Sequence, residues 1–179
     1  MSAIASNVAS QDDLYQDAAA HFGPALDRLA RAYEFDPEKR RDLLQEIHFA
    51  MWRSFATYDN RCSLRTWIYR VAHNTATTQV IRQRRIYSTL VSLEELGDTP
   101  TESQSHSTVD RDQTSERLTR LIQKLKPLDR QVIVSYLEGL DAAATGEITG
   151  LSPANVAMKI HRIKNLLARQ FHSGASHAE

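Results

Sequence analysis

Residues 142–167 have the sequence AAATGEITGLSPANVAMKIHRIKNLL, which predicts two helices joined by a short turn. Gly150 suits the end of the first helix, because glycine adopts the left-handed conformation there without strain. Ser152 and Pro153 suit the N-cap and the first turn of the second helix. This is the pattern of a helix-turn-helix, whose second helix presents its N-terminal side chains to bases in the DNA major groove. A helical hairpin with only a structural role is the alternative.

The second of these helices has an apolar face and a polar face. Its predicted buried residues recur at helical spacing: Val156, Ile160, Ile163 and Leu167. Asn can pair with adenine, and Lys or Arg can pair with guanine. The candidates for base contact are therefore Ser152, Asn155, Lys159 and Arg162. Gly146 lies inside the first helix, where it is expected to cost roughly 1 kcal/mol relative to Ala.

Upstream of this unit the sequence predicts further helices and no strands. Helical structure is expected from residue 12 to residue 33, with an interruption at Gly23-Pro24. Asp36 and Pro37 predict the N-cap and first turn of the next helix. The buried stripe of that helix is expected at steps of four residues: Leu43, Ile47, Met51 and Phe55.

A long helix is expected from about residue 63 to Arg85, because no Gly or Pro interrupts it. Its predicted buried side consists of Leu64, Trp67, Ile68, Val71 and Thr75. Its predicted other faces carry Arg65, Tyr69, Arg70, His73, Asn74, Thr77 and Thr78. Aromatic rings interleaved with cations suit single-stranded nucleic acid, since rings stack on bases and cations follow the backbone. The alternative is that Trp67 is a core residue, Tyr69 a partly buried one and the arginines surface charges.

The charges of the chain are arranged in blocks, although 22 Lys and Arg balance 22 Asp and Glu. Residues 39–85 are mainly basic, residues 87–116 are mainly acidic, and residues 148–171 are basic again. Basic blocks suit polyanions because Lys and Arg neutralise phosphates and release counterions. The alternative is that these side chains only solvate helix surfaces.

Length and composition restrict the class of protein. A chain of 179 residues that is 41% apolar and 25% charged is expected to form one globular domain or two small ones. No apolar run approaches the roughly 20 residues of a membrane-spanning helix, and residues 1–11 lack the features of a signal peptide. The lone Cys62 cannot form an internal disulfide. These features predict a cytoplasmic protein without membrane insertion.

The sequence contains no pattern typical of a catalytic site. Glycine-rich phosphate loops, zinc-ligand clusters and nucleophile motifs do not occur. His161, His172 and His177 lie near the C-terminus without the spacing of metal ligands. We therefore expect no enzyme activity, no cofactor, no metal site and no small-molecule substrate.

The predicted fold is all-α, with two small helical domains joined by a flexible acidic linker. The linker, residues 88–112, is rich in Ser, Thr and acidic residues and disfavours a packed core. In the second domain a break at Lys126-Pro127 separates one helix from the next, expected at Arg130–Leu137. The predicted limits are a disordered tail at 1–11, domains at 12–87 and 113–172 around the linker, and a tail at 173–179.

Two parts of the chain resemble the extracytoplasmic-function group of sigma-70-family initiation factors. The first comprises Asp42-Leu43-Leu44-Gln45-Glu46, Met51-Trp52-Arg53, Tyr58-Asp59 and residues 63–74, SLRTWIYRVAHN, and it is similar to region 2. The second comprises residues 125–132, LKPLDRQV, with the helix-turn-helix through Arg162, and it is similar to region 4. Together they cover about two thirds of the chain.

The resemblance implies three binding surfaces. It implies binding to the β and β′ subunits of core RNA polymerase through Asp42, Gln45, Glu46, Phe49 and Arg53. It implies that region 2 recognises and melts the minus-ten element of promoter DNA through Asn60, Arg61, Arg65, Tyr69, Arg70, His73, Asn74, Thr77, Thr78 and Arg82. Among these, Asn74 and Thr78 fall at the positions that capture a flipped base. It implies that region 4 reads the minus-thirty-five element through Ser152, Asn155, Ala157, Met158, Lys159, His161 and Arg162.

The resemblance also implies an anti-sigma factor as a partner. It implies a linker that passes through the polymerase, whereas the residues alone are equally compatible with a solvated tether. Two other functions are compatible with the helix-turn-helix. One is a free-standing transcriptional regulator that binds duplex DNA without the polymerase. The other is a helical adaptor that binds only proteins.

Overall fold

The computed structural model describes residues 10–93 and 110–173, with side chains over residues 10–83 and 114–171. In these residues every regular element is a helix, as the sequence predicts. The helices are α1 Gln11–Tyr33, α2 Pro37–Phe55, α3 Leu64–Leu93, α4 Asp110–Gln123, α5 Pro127–Leu137, α6 Ala142–Thr149 and α7 Pro153–Ser173. We call α1–α3 the N-terminal unit and α4–α7 the C-terminal unit. The tails at 1–9 and 174–179 and the central part of the predicted linker, 94–109, lie outside the described residues.

Helix α1 is continuous through Pro24, so the predicted interruption at Gly23-Pro24 is wrong. Proline cannot donate a hydrogen bond to the carbonyl of Ala20, four residues earlier. Both Ala20 and Pro24 are exposed, so water can hydrate the carbonyl that lacks a partner. The helix begins with a capping box between Ser10 and Asp13, which satisfies backbone N–H groups of the first turn.

Helix α2 forms as predicted from its local signals. Asp36 accepts hydrogen bonds from the backbone N–H groups of Glu38 and Lys39, and Pro37 occupies the first turn. The predicted stripe is buried in the core: Leu43, Ile47, Met51 and Phe55. This stripe packs on α1 and α3, and in the described part of the chain no other helix covers the opposite face of α2.

Helix α3 begins after Ser63, whose hydroxyl accepts a hydrogen bond from the backbone N–H of Thr66 at 3.1 Å. It runs to Leu93, beyond the predicted end at Arg85 and into the segment predicted as linker. Helix α4 likewise starts inside that segment, at Asp110. The apolar residues Leu90, Val91 and Leu93 have no Gly or Pro among them, so helix propensity extends α3 past its basic residues.

The C-terminal unit contains the predicted helix-turn-helix, formed by α6 and α7. Asp141 caps α6 by accepting a hydrogen bond from Ala144 N at 2.7 Å. Gly150 ends α6 with a φ of 76°. Helix α5 starts at Pro127, three residues before the predicted Arg130, because proline is favourable in a first helical turn.

Gly146 lets α6 pack closely against the turn that precedes α7. A Cβ atom at this position would lie 2.6 Å from the carbonyl oxygen of Leu151. Gly146 thus has a packing role that its expected cost in helix propensity did not reveal, since a side chain at this position would collide with the backbone.

The two units pack directly against each other. Helix α6 lies on α3, α4 lies on α1, and α5 contacts both α1 and α3. Helix α7 contacts α4, α5 and α6 and, among the described residues, no helix of the N-terminal unit. No helix in the described part of the chain is long and apolar enough to cross a membrane.

Candidate functional site

The face of α2 opposite the core carries the residues predicted to bind the polymerase. Asp42, Gln45, Glu46, Phe49 and Arg53 are all exposed. The Phe49 side chain is 58% exposed, and its ring stacks on that of Trp52 at a centroid distance of 6.3 Å. Exposed aromatic residues beside carboxylates are typical of a protein-binding surface, because aromatic side chains contribute much of the energy of such contacts.

A groove of about 730 Å³, lined by residues with polar or charged side chains, lies between α2 and α3. Asp42, Gln45 and Glu46 line one wall, and the other wall consists of Asn74, Thr75, Thr78, Gln79, Arg82 and Gln83. The groove therefore brings three of the predicted polymerase-binding residues together with three of the predicted minus-ten residues. Thr75, Gln79 and Gln83 also line it. Thr75 was expected on the buried side of α3, and Gln79 and Gln83 belong to none of the predicted binding surfaces.

The loop between α2 and α3 contains Asn60 and Arg61, two further predicted minus-ten residues. Asn60 has a φ of 60°, a conformation that Asn tolerates better than most residues. Arg61 forms an ion pair with Asp59 at 2.9 Å and its side chain is 89% exposed. The Tyr58 hydroxyl donates to the Cys62 carbonyl at 3.0 Å and holds the end of this loop. Asn60 and Arg61 are thus accessible to a ligand.

Trp67 lies on the inner side of α3, as predicted. It is partly buried, its ring contacts Tyr58 at a centroid distance of 5.3 Å, and its indole N–H donates to the Ser54 hydroxyl at 2.9 Å. This hydrogen bond satisfies the polar edge of the ring, so Trp67 fits a structural role.

A second face of α3 is covered by the C-terminal unit, which corrects one expectation. Tyr69 and His73 were expected away from the buried side of α3, but they are 1% and 0% exposed. The contacts of this face are with α5, with the residues that follow it, and with α6. They join Arg65 to the Glu138 carbonyl, Tyr69 to the Glu138 carboxylate, Arg70 to Glu147, His73 to Ser135 and Thr77 to Gln131.

His73 lies at the centre of this contact and has a partner on each ring nitrogen. Nδ1 is 2.9 Å from the Tyr33 hydroxyl, and Nε2 is 3.1 Å from the Ser135 hydroxyl. Burial lowers the pKa of His73 to about 3 and raises the pKa of Tyr33 to about 12. Both groups are therefore neutral at physiological pH, and one ring nitrogen of His73 donates while the other accepts.

Glu138 occupies the rim of the contact, directly after α5. Its carboxylate accepts hydrogen bonds from Arg28 at 2.8 and 2.7 Å and from the Tyr69 hydroxyl at 3.1 Å. The side chain is 9% exposed, compared with 59% for Arg28. Burial, followed by the charge of Glu138, raises the pKa of Tyr69 to about 12. The ion pair raises the pKa of Arg28.

The start of α7 presents most of the predicted minus-thirty-five residues to solvent. Ser152 accepts a hydrogen bond from Asn155 N at 3.3 Å and caps the helix. The exposed residues are Ser152, Asn155, Ala157, Met158, His161 and Arg162. Lys159 differs, because its Nζ is 2.5 Å from Asp129 of α5 and its side chain is only 30% exposed. Lys159 is therefore held in an ion pair on the protein.

Sequence reasoning missed Arg28, Asp129, Ser135 and Glu138. Arg28 and Glu138 are 110 positions apart in sequence, so no local motif could have paired them. In the described part of the chain, no group of three or more His, Cys, Asp or Glu residues could hold a metal ion.

Comparisons with known proteins find the same family in both units of the chain. The family model described as Sigma-70 region 2 matches residues 18–86, and that described as Sigma-70, region 4 matches residues 115–167. The RNA polymerase sigma factor YlaC of Bacillus subtilis (strain 168) is 27% identical over 128 residues, which cover 71% of this chain and 74% of YlaC.

Two solved structures have a similar fold. CnrH in complex with the cytosolic domain of CnrY matches with a TM-score of 0.64 and 20% identity, over 92% of this chain and 91% of that chain. The sigma factor RpoE in complex with the anti-sigma factor NepR from Bartonella quintana matches with a TM-score of 0.67 and 16% identity, over 92% and 98% of the two chains.

Proposed function

The chain belongs to the extracytoplasmic-function group of the sigma-70 family, and from this premise we propose that it is a transcription initiation factor. It binds core RNA polymerase, recognises the minus-thirty-five and minus-ten elements of a promoter, and promotes melting of the DNA. Each step is assigned to one of the surfaces described above.

The exposed face of α2 is the proposed polymerase-binding surface. Phe49 and Trp52 offer apolar area at its centre, and Asp42 and Glu46 offer charge beside it. Apolar anchors contribute most of the energy of such an interface, while the charges favour a basic partner and accelerate association. Arg53 continues the same face toward the end of the helix.

The groove between α2 and α3 is the proposed site for a base of the opened minus-ten strand. Asn74 and Thr78 offer amide and hydroxyl groups to the edge of a base, and Arg82 offers a cation to the backbone. Removing a base from its stack costs a few kcal/mol, which hydrogen bonds in a fitted pocket must offset. Asn60 and Arg61 extend the proposed surface from the loop before α3.

Helix α7 is the proposed reader of the minus-thirty-five duplex. Its capped N-terminus points partially positive N–H groups outward, and Asn155 and Arg162 are exposed on it. Such a helix fits a major groove, where Asn and Arg can form bidentate contacts with bases. Met158 and Ala157 offer apolar contact with thymine methyl groups.

The observation that carries the proposal is the shared groove, in which Asp42 and Glu46 face Asn74, Thr78 and Arg82. A promoter strand held in this groove would lie against the polymerase that the α2 face binds. The test is co-elution of the purified chain with bacterial core RNA polymerase in size-exclusion chromatography. We expect the wild type to co-elute and the Asp42→Ala/Glu46→Ala variant to lose at least tenfold in affinity, about 1.4 kcal/mol.

The matched control is Asp17→Ala/Glu116→Ala, which removes two exposed carboxylates from α1 and α4. It should co-elute like the wild type, so that net charge alone does not explain the loss. Absence of co-elution by the wild type, together with an unassisted shift of duplex DNA, would instead support the free-standing regulator.

An anti-sigma factor is the proposed inhibitory partner. The similar solved structures are complexes of CnrH with the cytosolic domain of CnrY and of RpoE with the anti-sigma factor NepR. An inhibitor that covers the α2 face of this chain would compete with core polymerase. Its affinity should then fall in the Asp42→Ala/Glu46→Ala variant, as measured by calorimetry with the purified partner.

A further inference from the structure

The first two turns of α7 present a surface that is almost without charge. Residues 153–158, PANVAM, contain no Lys, Arg, Asp or Glu. After the proline, the exposed side chains are Ala154, Asn155, Ala157 and Met158. Met158 is 67% exposed, more than any other large apolar side chain in the described part of the chain. In a helix-turn-helix these turns of the second helix contact the edges of bases. The base-contacting part of α7 is therefore apolar except for the amide of Asn155.

Lys159 is the first cation of α7, and it is bound to α5. Its Nζ lies 2.5 Å from Oδ1 of Asp129, and the two side chains are only 30% and 24% exposed. Salt screens such a partly buried pair less than an exposed one. Asp129 lies in the first turn of α5, where the helix dipole stabilises a negative charge. If Lys159 left this pair for a base, Asp129 would remain as an unpaired carboxylate beside the bound DNA.

Arg162, the next Lys or Arg of α7, is exposed but lies two turns beyond Asn155. At a rise of about 1.5 Å per residue, it is roughly 10 Å from Asn155 along the helix axis. Successive bases of a DNA strand are about 3.4 Å apart. Arg162 therefore reaches a phosphate or a base at the flank of the element, roughly three base pairs from the one that Asn155 faces. The centre of the element meets no free cation of α7.

We propose that the centre of the minus-thirty-five element that this chain reads consists of A·T base pairs, with an adenine facing Asn155 and a thymine facing Met158. An Asn amide pairs with N6 and N7 of adenine, and an apolar side chain contacts the C5 methyl group of thymine. A central guanine would need Arg or Lys as its partner, and the ion pair with Asp129 withholds Lys159. Asp129 is thus a positioning residue that excludes guanine without contacting DNA. The inference rests on the proposed function, since it specifies what α7 recognises.

Selection from random DNA tests the base preference. The purified full-length chain is incubated with duplexes that carry a randomised window of about 10 base pairs, one helical turn, and the bound fraction is recovered and sequenced. In the described part of the chain α7 contacts no helix of the N-terminal unit, so its first turns are accessible without the polymerase. We expect an enriched element whose central base pairs are A·T. An element with central G·C pairs, or no enriched sequence at all, would overturn the proposal.

Asp129→Asn tests the exclusion of guanine, because it removes the charge that holds Lys159. We compare the affinity for an element with guanine at one central position with that for the A·T-centred element. This ratio should be about tenfold higher for Asp129→Asn than for the wild type. Asp129→Glu keeps the carboxylate and should keep the A·T preference, and Asp17→Asn, which removes an exposed carboxylate of α1, is the matched control. A merely structural ion pair would change the affinity for both elements alike, so an unchanged ratio would overturn the role of Asp129.

Deoxyuridine tests the thymine contact, because its base differs from thymine only by the missing C5 methyl group. Each thymine of the enriched duplex is replaced in turn, and binding is measured by fluorescence anisotropy. At the thymine that faces Met158 the wild type should lose about fourfold in affinity, the value of one buried methyl group. Met158→Ala, which changes a side chain that is 67% exposed, should lose less.

Equal affinities for thymine and uracil at every position would overturn the methyl contact. The proposed function is tested separately by co-elution with core RNA polymerase. A wild type that selects an A·T-centred element but does not co-elute would refute the proposed function and leave the base preference of α7 standing.

Discussion

Replacing Gly146 by Ala distinguishes helix propensity from packing, because the two effects have opposite signs. Propensity alone favours Ala in a helix by about 1 kcal/mol. Against this, the new Cβ would lie 2.6 Å from the Leu151 carbonyl oxygen, and overpacking costs typically about 1–3 kcal/mol. The obstacle is backbone in the turn before α7 and cannot rotate away, so the cost falls at the upper end. We expect a net destabilisation of about 1–2 kcal/mol.

The assay is urea unfolding of the full-length chain, followed by far-UV circular dichroism. With a slope of about 2 kcal/mol per molar urea, the midpoint of Gly146→Ala should fall by about 0.5–1 M. The control is Gly23→Ala in α1, where, apart from the chain neighbours and the backbone of the same helix, no atom lies within 4 Å of the new Cβ. Because Gly23 precedes proline, its gain should lie between zero and about 1 kcal/mol. A higher midpoint for Gly146→Ala would refute the packing argument.

Three further predictions follow from the same contacts. Trp67→Ala should destabilise the chain by about 2–4 kcal/mol in urea unfolding, since it removes a partly buried ring and its hydrogen bond to Ser54; a loss below about 1 kcal/mol would contradict the core role. Asp129→Asn should release Lys159, tighten binding to non-specific duplex DNA, and steepen the slope of log affinity against log salt by about one, whereas Asp17→Asn should leave the slope unchanged. Stability should decrease as the pH falls from about 6.5 toward 3, because the unfolded chain protonates His73 in this window and the folded chain, with its pKa near 3, does not. The contribution approaches about 1.4 kcal/mol per pH unit, and His73→Asn should reduce the slope in urea unfolding measured at several pH values.

Local features of the fold could be predicted from the sequence. Asp36-Pro37, Gly150 and Ser152-Pro153 predicted helix ends correctly, because caps depend on a few adjacent residues. The buried stripe of α2 was equally clear, since a single apolar row at helical spacing marks the buried side of a helix. The packing role of Gly146 could not be predicted, because it depends on a carbonyl that approaches from the following turn.

Contacts between the two units could not be predicted from the sequence. Helix α3 packs on neighbours along more than one face, so Tyr69 and His73 are buried by α5 although they lie off the main apolar stripe. A polar face that packs against polar residues has the same periodicity as a solvated one. The pairing of Arg28 with Glu138 and of Lys159 with Asp129 likewise joins residues far apart in sequence. Which of the candidate DNA-binding residues are accessible therefore could not be predicted without the fold.

The central claim is that the chain is a transcription initiation factor. Transcription from many promoters at once tests this claim most directly. Core RNA polymerase is incubated with sheared genomic DNA of the source bacterium, with and without the purified chain, and the RNA 5′ ends are sequenced. We expect new 5′ ends that share two upstream elements, one at the minus-ten and one at the minus-thirty-five position, and that disappear with the Asp42→Ala/Glu46→Ala variant. The same set of 5′ ends with and without the chain would contradict its assignment as an initiation factor.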